Sequence, residues 1–156
     1  DYADFVPTAF WSQAISTVRK IKNQNLIMMA EGTRADNFSA GFDYNFGFGF
    51  YDSLKKTIIN GQSASNLQTQ NTKEYTNSGS GRIVRYTTNH DVNLFDGTPL
   101  ELFGGKKGSL AAFVVALSMN SVPMIYNGQE VGYSKRLDYF DRTPIDWSTT
   151  DFTMLK

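Results

Sequence analysis

Short apolar segments followed by acidic residues are the feature that most constrains this sequence. The run Leu26–Ala30 ends at Glu31, and the β-rich run Ile83–Thr88 leads into Asn89-His90-Asp91. Asp1 and Glu31 are 30 positions apart, Glu31 and Asp91 are 60 apart, and Asp91 and Ile125 are 34 apart. A (β/α)8 barrel of about 250 residues uses roughly 31 residues per unit, so the spacing fits that step coarsely. The pattern predicts an α/β fold with a mostly parallel sheet.

The other segments of the sequence predict further helices, strands and loops. We predict a helix from Thr8 to near Asn23, because Phe10, Trp11, Ala14, Ile15, Val18 and Ile21 recur at helical spacing. Further predicted elements are a strand in Gly41–Phe50, a helix over Phe50–Ile58, a surface excursion over Asn60–Ser80 with a weak helical pattern at Leu67 and Tyr75, a long loop over Asp96–Gly108, a helix over Leu110–Ser118 and a strand over Val122–Tyr126.

Charge and composition exclude several functions. Fifteen basic and fifteen acidic residues cancel, and no Lys or Arg cluster appears, so nucleic acid is not a predicted partner. The sequence has no Cys and one His, which excludes a disulfide framework, a thiolate metal site and a zinc site built mainly from imidazoles. The longest apolar stretch, Leu110–Leu117, is far shorter than the roughly 20 residues of a membrane span.

The acids that follow the strands point to a reaction class. In a parallel barrel the carboxyl ends of all strands open at one mouth, so acids far apart in sequence converge there. A retaining glycosidase needs a carboxylate nucleophile and a carboxylic acid that protonates the leaving oxygen, about 5 to 5.5 Å apart. The sequence therefore favours glycosidic bond cleavage.

Five segments together resemble motifs of the α-amylase family, glycoside hydrolase family 13. Asp1–Pro7 resembles the fourth-strand motif, Met28–Gly32 the fifth, Tyr86–Asp91 the seventh and Val122–Glu130 the eighth, while Thr143–Trp147 is similar to the segment that commonly follows. The resemblance covers nearly the whole chain. It implies an incomplete TIM barrel, approximately strands 4/5 to 8, with residues 1–156 forming the C-terminal part of one catalytic domain.

The resemblance also implies roles for individual residues. Asp1 falls on the catalytic nucleophile, Glu31 on the general acid/base and Asp91 on the acid that stabilises the transition state. His90 falls on a ligand for a sugar hydroxyl, and we assign substrate contacts to Asn89 and Tyr2 as well. No metal ligand and no cofactor are predicted, because the calcium site of the family draws largely on the part of the barrel that this chain lacks.

Several expectations follow from what the resemblance leaves out. The chain opens at Asp1 without Met, so we expect an excerpt whose partner is the missing N-terminal part of the same enzyme. An open half-sheet exposes unpaired backbone, so we expect the isolated chain to be inactive and to be stabilised by that part, another partner or self-association. We favour a secreted or periplasmic location over the cytoplasm.

Four functions compete at this stage. The leading interpretation is a retaining α-glucan hydrolase acting on starch or maltooligosaccharides, and the second is a transglycosylase that passes the glycosyl unit to a sugar hydroxyl. The third is a non-catalytic glucan-binding relative, against which the three matching carboxylates argue. The fourth, a doubly wound domain that binds small molecules, predicts a glycine-rich phosphate loop, and the sequence contains none.

Overall fold

A computed structural model describes residues 1–21 and 25–155 of the chain. Within these ranges, helices alternate with four short strands. The helices are α1 Thr8–Val18, α2 Asp36–Ala40, α3 Phe48–Asn60, α4 Ser65–Tyr75, α5 His90–Phe95, α6 Pro99–Leu102 and α7 Lys106–Ser118. The strands are β1 Met29–Ala30, β2 Tyr44–Phe46, β3 Arg82–Arg85 and β4 Val122–Pro123, and short 3-10 turns span Ala3–Phe5, Gln129–Val131, Trp147–Thr149 and Phe152–Leu155.

The four strands form one parallel sheet in the order β1-β2-β3-β4. Ala30 lies beside Asn45, and Asn45 lies beside Ile83, so the strands run in register across the sheet. Parallel strands need helical crossovers, and α3 with α4, and later α5 to α7, supply them. The predicted α/β class with a parallel sheet is confirmed.

Three apolar clusters hold the helices on the sheet. One joins α3, α4 and α7 through Phe50, Leu54, Leu67, Phe103, Ala112 and Ala116. A second packs α1 and α2 against β1 through Ala3, Ile15, Ala30, Ala40 and Phe42, and a third surrounds β2 and β3. None of the described helices is long and apolar enough to cross a membrane.

A buried ion pair fastens α4 to β3. The Arg85 side chain is fully buried, and its guanidinium donates to Glu74 and to Asn71 on α4 while lying over the Phe50 ring of α3. The second Glu74 oxygen accepts a 2.9 Å hydrogen bond from the Phe50 backbone N–H, at the start of α3. One carboxylate therefore joins two helices and a strand, and its loss would leave a buried charge without compensation.

Two predictions about the connecting segments are wrong. The segment 60–80 is more than a surface excursion, because it contains α4, whose Leu67 is buried in the core. The segment 96–108 is not a long loop: it contains α6 and the first turn of α7. A capping box starts α6, in which Thr98 accepts from the Glu101 N–H and Glu101 accepts from the Thr98 N–H, and Pro99 occupies the first turn.

Most predicted strands and helices are present with different ends. The strand predicted over 26–30 is confirmed only at Met29–Ala30, and Ile27 is 70% exposed, so the predicted cover on both faces is wrong there. The strand predicted over 41–50 is confined to β2, because Phe48 and Phe50 already belong to α3.

The remaining strands are also shorter than predicted. The runs 83–88 and 122–126 yield β3 and β4, which end at Arg85 and Pro123. The predicted helices over 50–58 and 110–118 are confirmed, and α1 is described to Val18. Helix α1 is shorter than predicted, because it ends at Val18 and residues 19–21 form a turn and a bend; the predicted end near Asn23 itself lies outside the described residues.

Replacing Glu74 by Ala should destabilise the fold by about 3–5 kcal/mol, because it leaves the Arg85 guanidinium buried and unpaired. Urea unfolding followed by circular dichroism measures the loss. Lys73→Ala, at an exposed position on the same helix, serves as the control and should change the free energy of unfolding by less than about 0.5 kcal/mol. Equal effects of the two substitutions would contradict a structural role for the buried pair.

Candidate active site

The predicted catalytic residues line one open cleft beyond the carboxyl ends of β1 and β3. The cleft has a volume of about 1080 Å³. Its lining consists of Asp1, Tyr2, Asp4, Phe5, Glu31, Gly32, Thr33, Phe48, His90, Asp91, Phe95, Tyr139 and Phe140. Acidic, imidazole and aromatic side chains therefore share one water-accessible space, as a site for a polar ligand with apolar faces requires.

Glu31, His90 and Asp91 form the centre of this cleft. Glu31 follows β1 directly, and His90 and Asp91 open α5, which follows β3 after a short link. The His90 Nε2 atom lies 3.5 Å from Glu31 Oε1 and 3.6 Å from Asp91 Oδ1. Glu31 is the most enclosed of the three, with 18% of its side chain exposed against 45% for His90 and 41% for Asp91.

Asp1 and Tyr2 reach the cleft from the segment before β1. The Ala3 N–H donates to the Glu31 carbonyl at 3.2 Å, which ties the start of the chain to the end of β1. Tyr2 has left-handed backbone dihedrals, with φ of 51°, and its exposed ring lies 5.2 Å from that of Phe5. The structure thus brings Asp1, Tyr2, Glu31, His90 and Asp91 to a common lining.

Asn89 occupies a different position from the other predicted residues. Its side chain is buried and caps α5: Oδ1 accepts from the Asp91 N–H at 3.0 Å and the Val92 N–H at 2.9 Å. Asn89 is not among the residues that line the cleft. Its observed role is to fix the first turn of α5, on which His90 and Asp91 lie. The substrate contact assigned to it from sequence stays a prediction.

Asp4 is a supporting residue that the sequence analysis missed. Its carboxylate accepts from the Thr33 N–H at 2.8 Å, from the Arg34 N–H at 3.3 Å and from Asn37 Nδ2 at 2.9 Å. A Cβ atom on Gly32 would lie 2.3 Å from Asp4 Oδ1, so a side chain there would displace the carboxylate. Asp4 therefore fastens the loop after Glu31 to the segment after Asp1.

The environment of Asp4 lowers its pKa. Partial burial alone would raise the pKa, but the hydrogen bonds from Thr33, Asn37 and Arg34 outweigh this effect and hold it below its ordinary value. The only sequence signal was the presence of Asp4 within the Asp1–Pro7 segment. Its partners lie about 30 positions away, so the contact required the fold.

Aromatic rings form one wall of the cleft. The Tyr139 ring packs edge-on to His90, with centroids 5.7 Å apart, and contacts Phe140 at 4.3 Å and Phe95 at 6.3 Å. Phe140 is 78% exposed, although large aromatic side chains usually bury most of their surface. An exposed aromatic wall beside carboxylates is suited to a ligand that presents both hydroxyl groups and C–H faces.

Hydrogen bonds also join the segments that follow β3 and β4. Gln129 Nε2 donates to Thr87 Oγ1 at 2.9 Å, and its Oε1 accepts from the Tyr126 N–H at 3.2 Å. Gln129 therefore joins the segment after β4 to the segment after β3. A separate cleft of about 680 Å³, which contains none of the predicted site residues, lies at the amino ends of β2 and β3 beside Asp43 and Arg82.

Comparisons with known proteins concern the fold. No protein-family model matches this chain, and no curated protein matches it. Solved structures do match, among them an α-amylase from Lactobacillus plantarum with a TM-score of 0.77 and 21% identity, covering 92% of this chain and 37% of that one.

Two further α-amylase structures are similar. One, from H. orenii, has a TM-score of 0.69 and 18% identity over 94% of this chain and 35% of its own. The other, a noncanonic maltogenic α-amylase from Thermotoga neapolitana, has a TM-score of 0.69 and 20% identity, covering 85% of this chain and 30% of that one. The chain thus has the fold of part of an amylase barrel domain, and it spans about a third of the length of these solved chains.

Removing the Asp4 carboxylate should loosen the loop that carries Glu31. Asp4→Ala should lower the free energy of unfolding at pH 7 by about 1.5–3 kcal/mol, the usual worth of hydrogen bonds to a charged group. Because the pKa of Asp4 is lowered by folding, this contribution is present above the unfolded value near about 3.9 and is lost as the pH falls through the folded value.

Urea unfolding at pH 7 and at acidic pH tests the prediction. The gap between wild type and Asp4→Ala should shrink as the Asp4 carboxylate becomes protonated. Asp141→Ala, at an exposed position, is the control and should show no such gap. A difference in unfolding free energy that stays constant across the acid range would argue against stabilisation by the ionised Asp4 carboxylate.

Proposed function

We propose that this chain carries the catalytic acids of a retaining glycoside hydrolase that acts on α-glucans. The observation that carries the proposal is the meeting of Glu31, His90 and Asp91, with Asp1 in the same lining, beyond the carboxyl ends of parallel strands. The likeness of the fold to solved α-amylases supports the same reaction class. The aromatic wall of Phe95, Tyr139 and Phe140 supports a sugar ligand, because flat rings stack on pyranose C–H faces.

The proposed mechanism is a double displacement. The Asp1 carboxylate attacks the anomeric carbon while Glu31 donates a proton to the departing glycosidic oxygen, so that the C–O bond breaks and a glycosyl ester forms on Asp1. Glu31 then accepts a proton from water, which attacks the anomeric carbon and releases Asp1 as a carboxylate. Asp91 stabilises the positive charge that develops on the sugar ring, and His90 holds a sugar hydroxyl.

The surroundings of the acids fit this division of work. Within the described residues, neither Glu31 nor Asp91 forms a salt bridge with Lys or Arg; both lie near His90, and Asp91 also has a hydrogen bond with Tyr139. The loop after Glu31 and the first turn of α5 are instead fixed by Asp4 and Asn89. The reacting carboxylates are therefore available to substrate, while other residues supply the rigidity that catalysis requires.

Glu31→Gln in the complete barrel protein that carries this sequence should lower kcat for maltooligosaccharide hydrolysis by about 10²–10⁴-fold, the usual contribution of a general acid/base. A chromogenic maltooligosaccharide assay measures the loss. Glu101→Gln is the matched control, because Glu101 lies outside the cleft and Gln can replace Glu in a capping box. Wild-type turnover by Glu31→Gln would refute the assignment, and glucan binding without turnover by the wild type would favour the non-catalytic alternative.

The 156-residue chain by itself should not hydrolyse the same substrate. In the described residues β1 pairs only with β2 and β4 only with β3, so both edges of the sheet carry unpaired backbone where a closed barrel has further strands. Assaying the purified chain alone and then mixed with the remaining barrel segments should give activity only in the mixture. Turnover by the chain alone that equals that of the complete protein would contradict the requirement for a closed barrel.

A further inference from the structure

The arrangement of Glu31, His90 and Asp91 suggests a second kind of ligand. Each residue offers one ligand atom, and these three atoms lie within 4.8 Å of one another. Among the described residues this is the one group of His, Asp and Glu side chains that is compact enough to share a metal ion. We propose that Glu31, His90 and Asp91 bind a divalent transition-metal ion of the Zn²⁺ type, and that the bound ion inhibits the enzyme reversibly.

Two of the three distances between the ligand atoms are close to those expected around a tetrahedral metal ion. Zinc binds imidazole nitrogen at about 2.0–2.1 Å and carboxylate oxygen at about 2.0–2.2 Å, which makes the edge between two tetrahedral ligands roughly 3.4 Å. The separations of His90 Nε2 from Glu31 Oε1 and from Asp91 Oδ1 are 3.5 and 3.6 Å. The remaining edge, between the two carboxylates, is no longer than 4.8 Å, and the Asp91 side chain is 41% exposed.

Charge favours a cation at the same point. Two carboxylate groups lie beside one imidazole there, so acidic side chains are concentrated around a single point. In the described part of the chain, no Lys or Arg forms an ion pair with either carboxylate. An incoming ion would therefore displace no Lys or Arg, and the open cleft leaves room for water or a buffer ligand in the fourth position.

The ligand types choose between metal ions. Calcium prefers six to eight oxygen ligands and magnesium prefers oxygen in octahedral geometry, whereas one nitrogen and two carboxylate oxygens suit zinc and its neighbours. The site differs from a zinc site built mainly from imidazoles, which the single His excludes. A bound ion would occupy both proposed catalytic acids, so the inhibitory part of the proposal rests on the proposed function, while the binding part does not.

Calorimetric titration of ZnCl₂ into the metal-free complete protein, in a buffer that does not chelate zinc, tests the binding part. We expect one ion per chain, with affinity lowered at least about tenfold by either His90→Ala or Glu31→Gln. Cobalt absorption provides a second readout, because a tetrahedral Co²⁺ band should appear in the wild type and be lost in both variants. Glu101→Gln is the control and should bind like the wild type, and thermal melts verify that each variant is folded.

The outcomes separate the metal site from the proposed function. Binding that both variants lose, together with zinc inhibition of hydrolysis that EDTA reverses, supports both. Binding that both variants lose in a protein without hydrolase activity supports the metal site and removes the proposed function. Zinc binding that remains at wild-type affinity in His90→Ala and Glu31→Gln, or no saturable binding to the wild type, overturns the metal site.

Discussion

Parallel pairing of β1, β2 and β3 is the constraint on which the candidate site depends. The parallel pairs Ala30 with Asn45 and Asn45 with Ile83 put the carboxyl ends of β1, β2 and β3 on the same side of the sheet. Glu31 lies there because it directly follows β1, while His90 is reached only after the link from Tyr86 to Asn89. Antiparallel pairing of the same strands would reverse β2 and β4 and send their carboxyl ends to the opposite end of the sheet, away from the end of β1 where Glu31 lies.

Side chains outside the cluster hold this arrangement in place. Asp4 fixes the loop after Glu31, and Asn89 caps the helix that begins with His90. Behind the sheet, the Glu74 and Arg85 pair joins α3 and α4 to β3. Rigidity is thus supplied by hydrogen bonds and a buried ion pair next to the site, and the acids themselves stay accessible to water or ligand.

The class of fold was predictable because it depends on local signals, and the approach of Glu31 to Asp91 was predictable once the strands were taken to be parallel. A short apolar run that ends in an acid is visible without tertiary information, and approximate repeat spacing favours parallel strands. Helix α2, the packing of α4 in the core and the hydrogen bonds of Asp4 to the loop after Glu31 were not predicted. These features depend on contacts such as Leu67 in the core and Asp4 with Thr33, which join residues far apart in sequence.

Some predicted boundaries of strands and helices were wrong for a related reason. The alternating aromatics of 41–50 suggested one strand, yet Phe48 and Phe50 lie in α3, because packing against the Arg85 and Glu74 pair overrides the period-2 pattern. The capping box at Thr98 and Glu101 is a local sequence signal for the start of α6, within the segment predicted as a loop. The capping role of Asn89 was equally local, since Asn is a favoured residue at the start of a helix.

Covalent labelling measures the central claim most directly. The complete protein would be treated with a fluorinated, activated α-glucoside whose glycosyl ester hydrolyses slowly, and the labelled peptide would be sequenced by mass spectrometry. The account predicts one glycosyl group per chain, attached to Asp1. Replacing Asp91 by Asn should slow the labelling, whereas replacing Glu31 by Gln should slow the release of the label, because an activated leaving group departs without a proton while attack by water needs the base. A label on another residue, or turnover of glucan with no ester formed at Asp1, would contradict it.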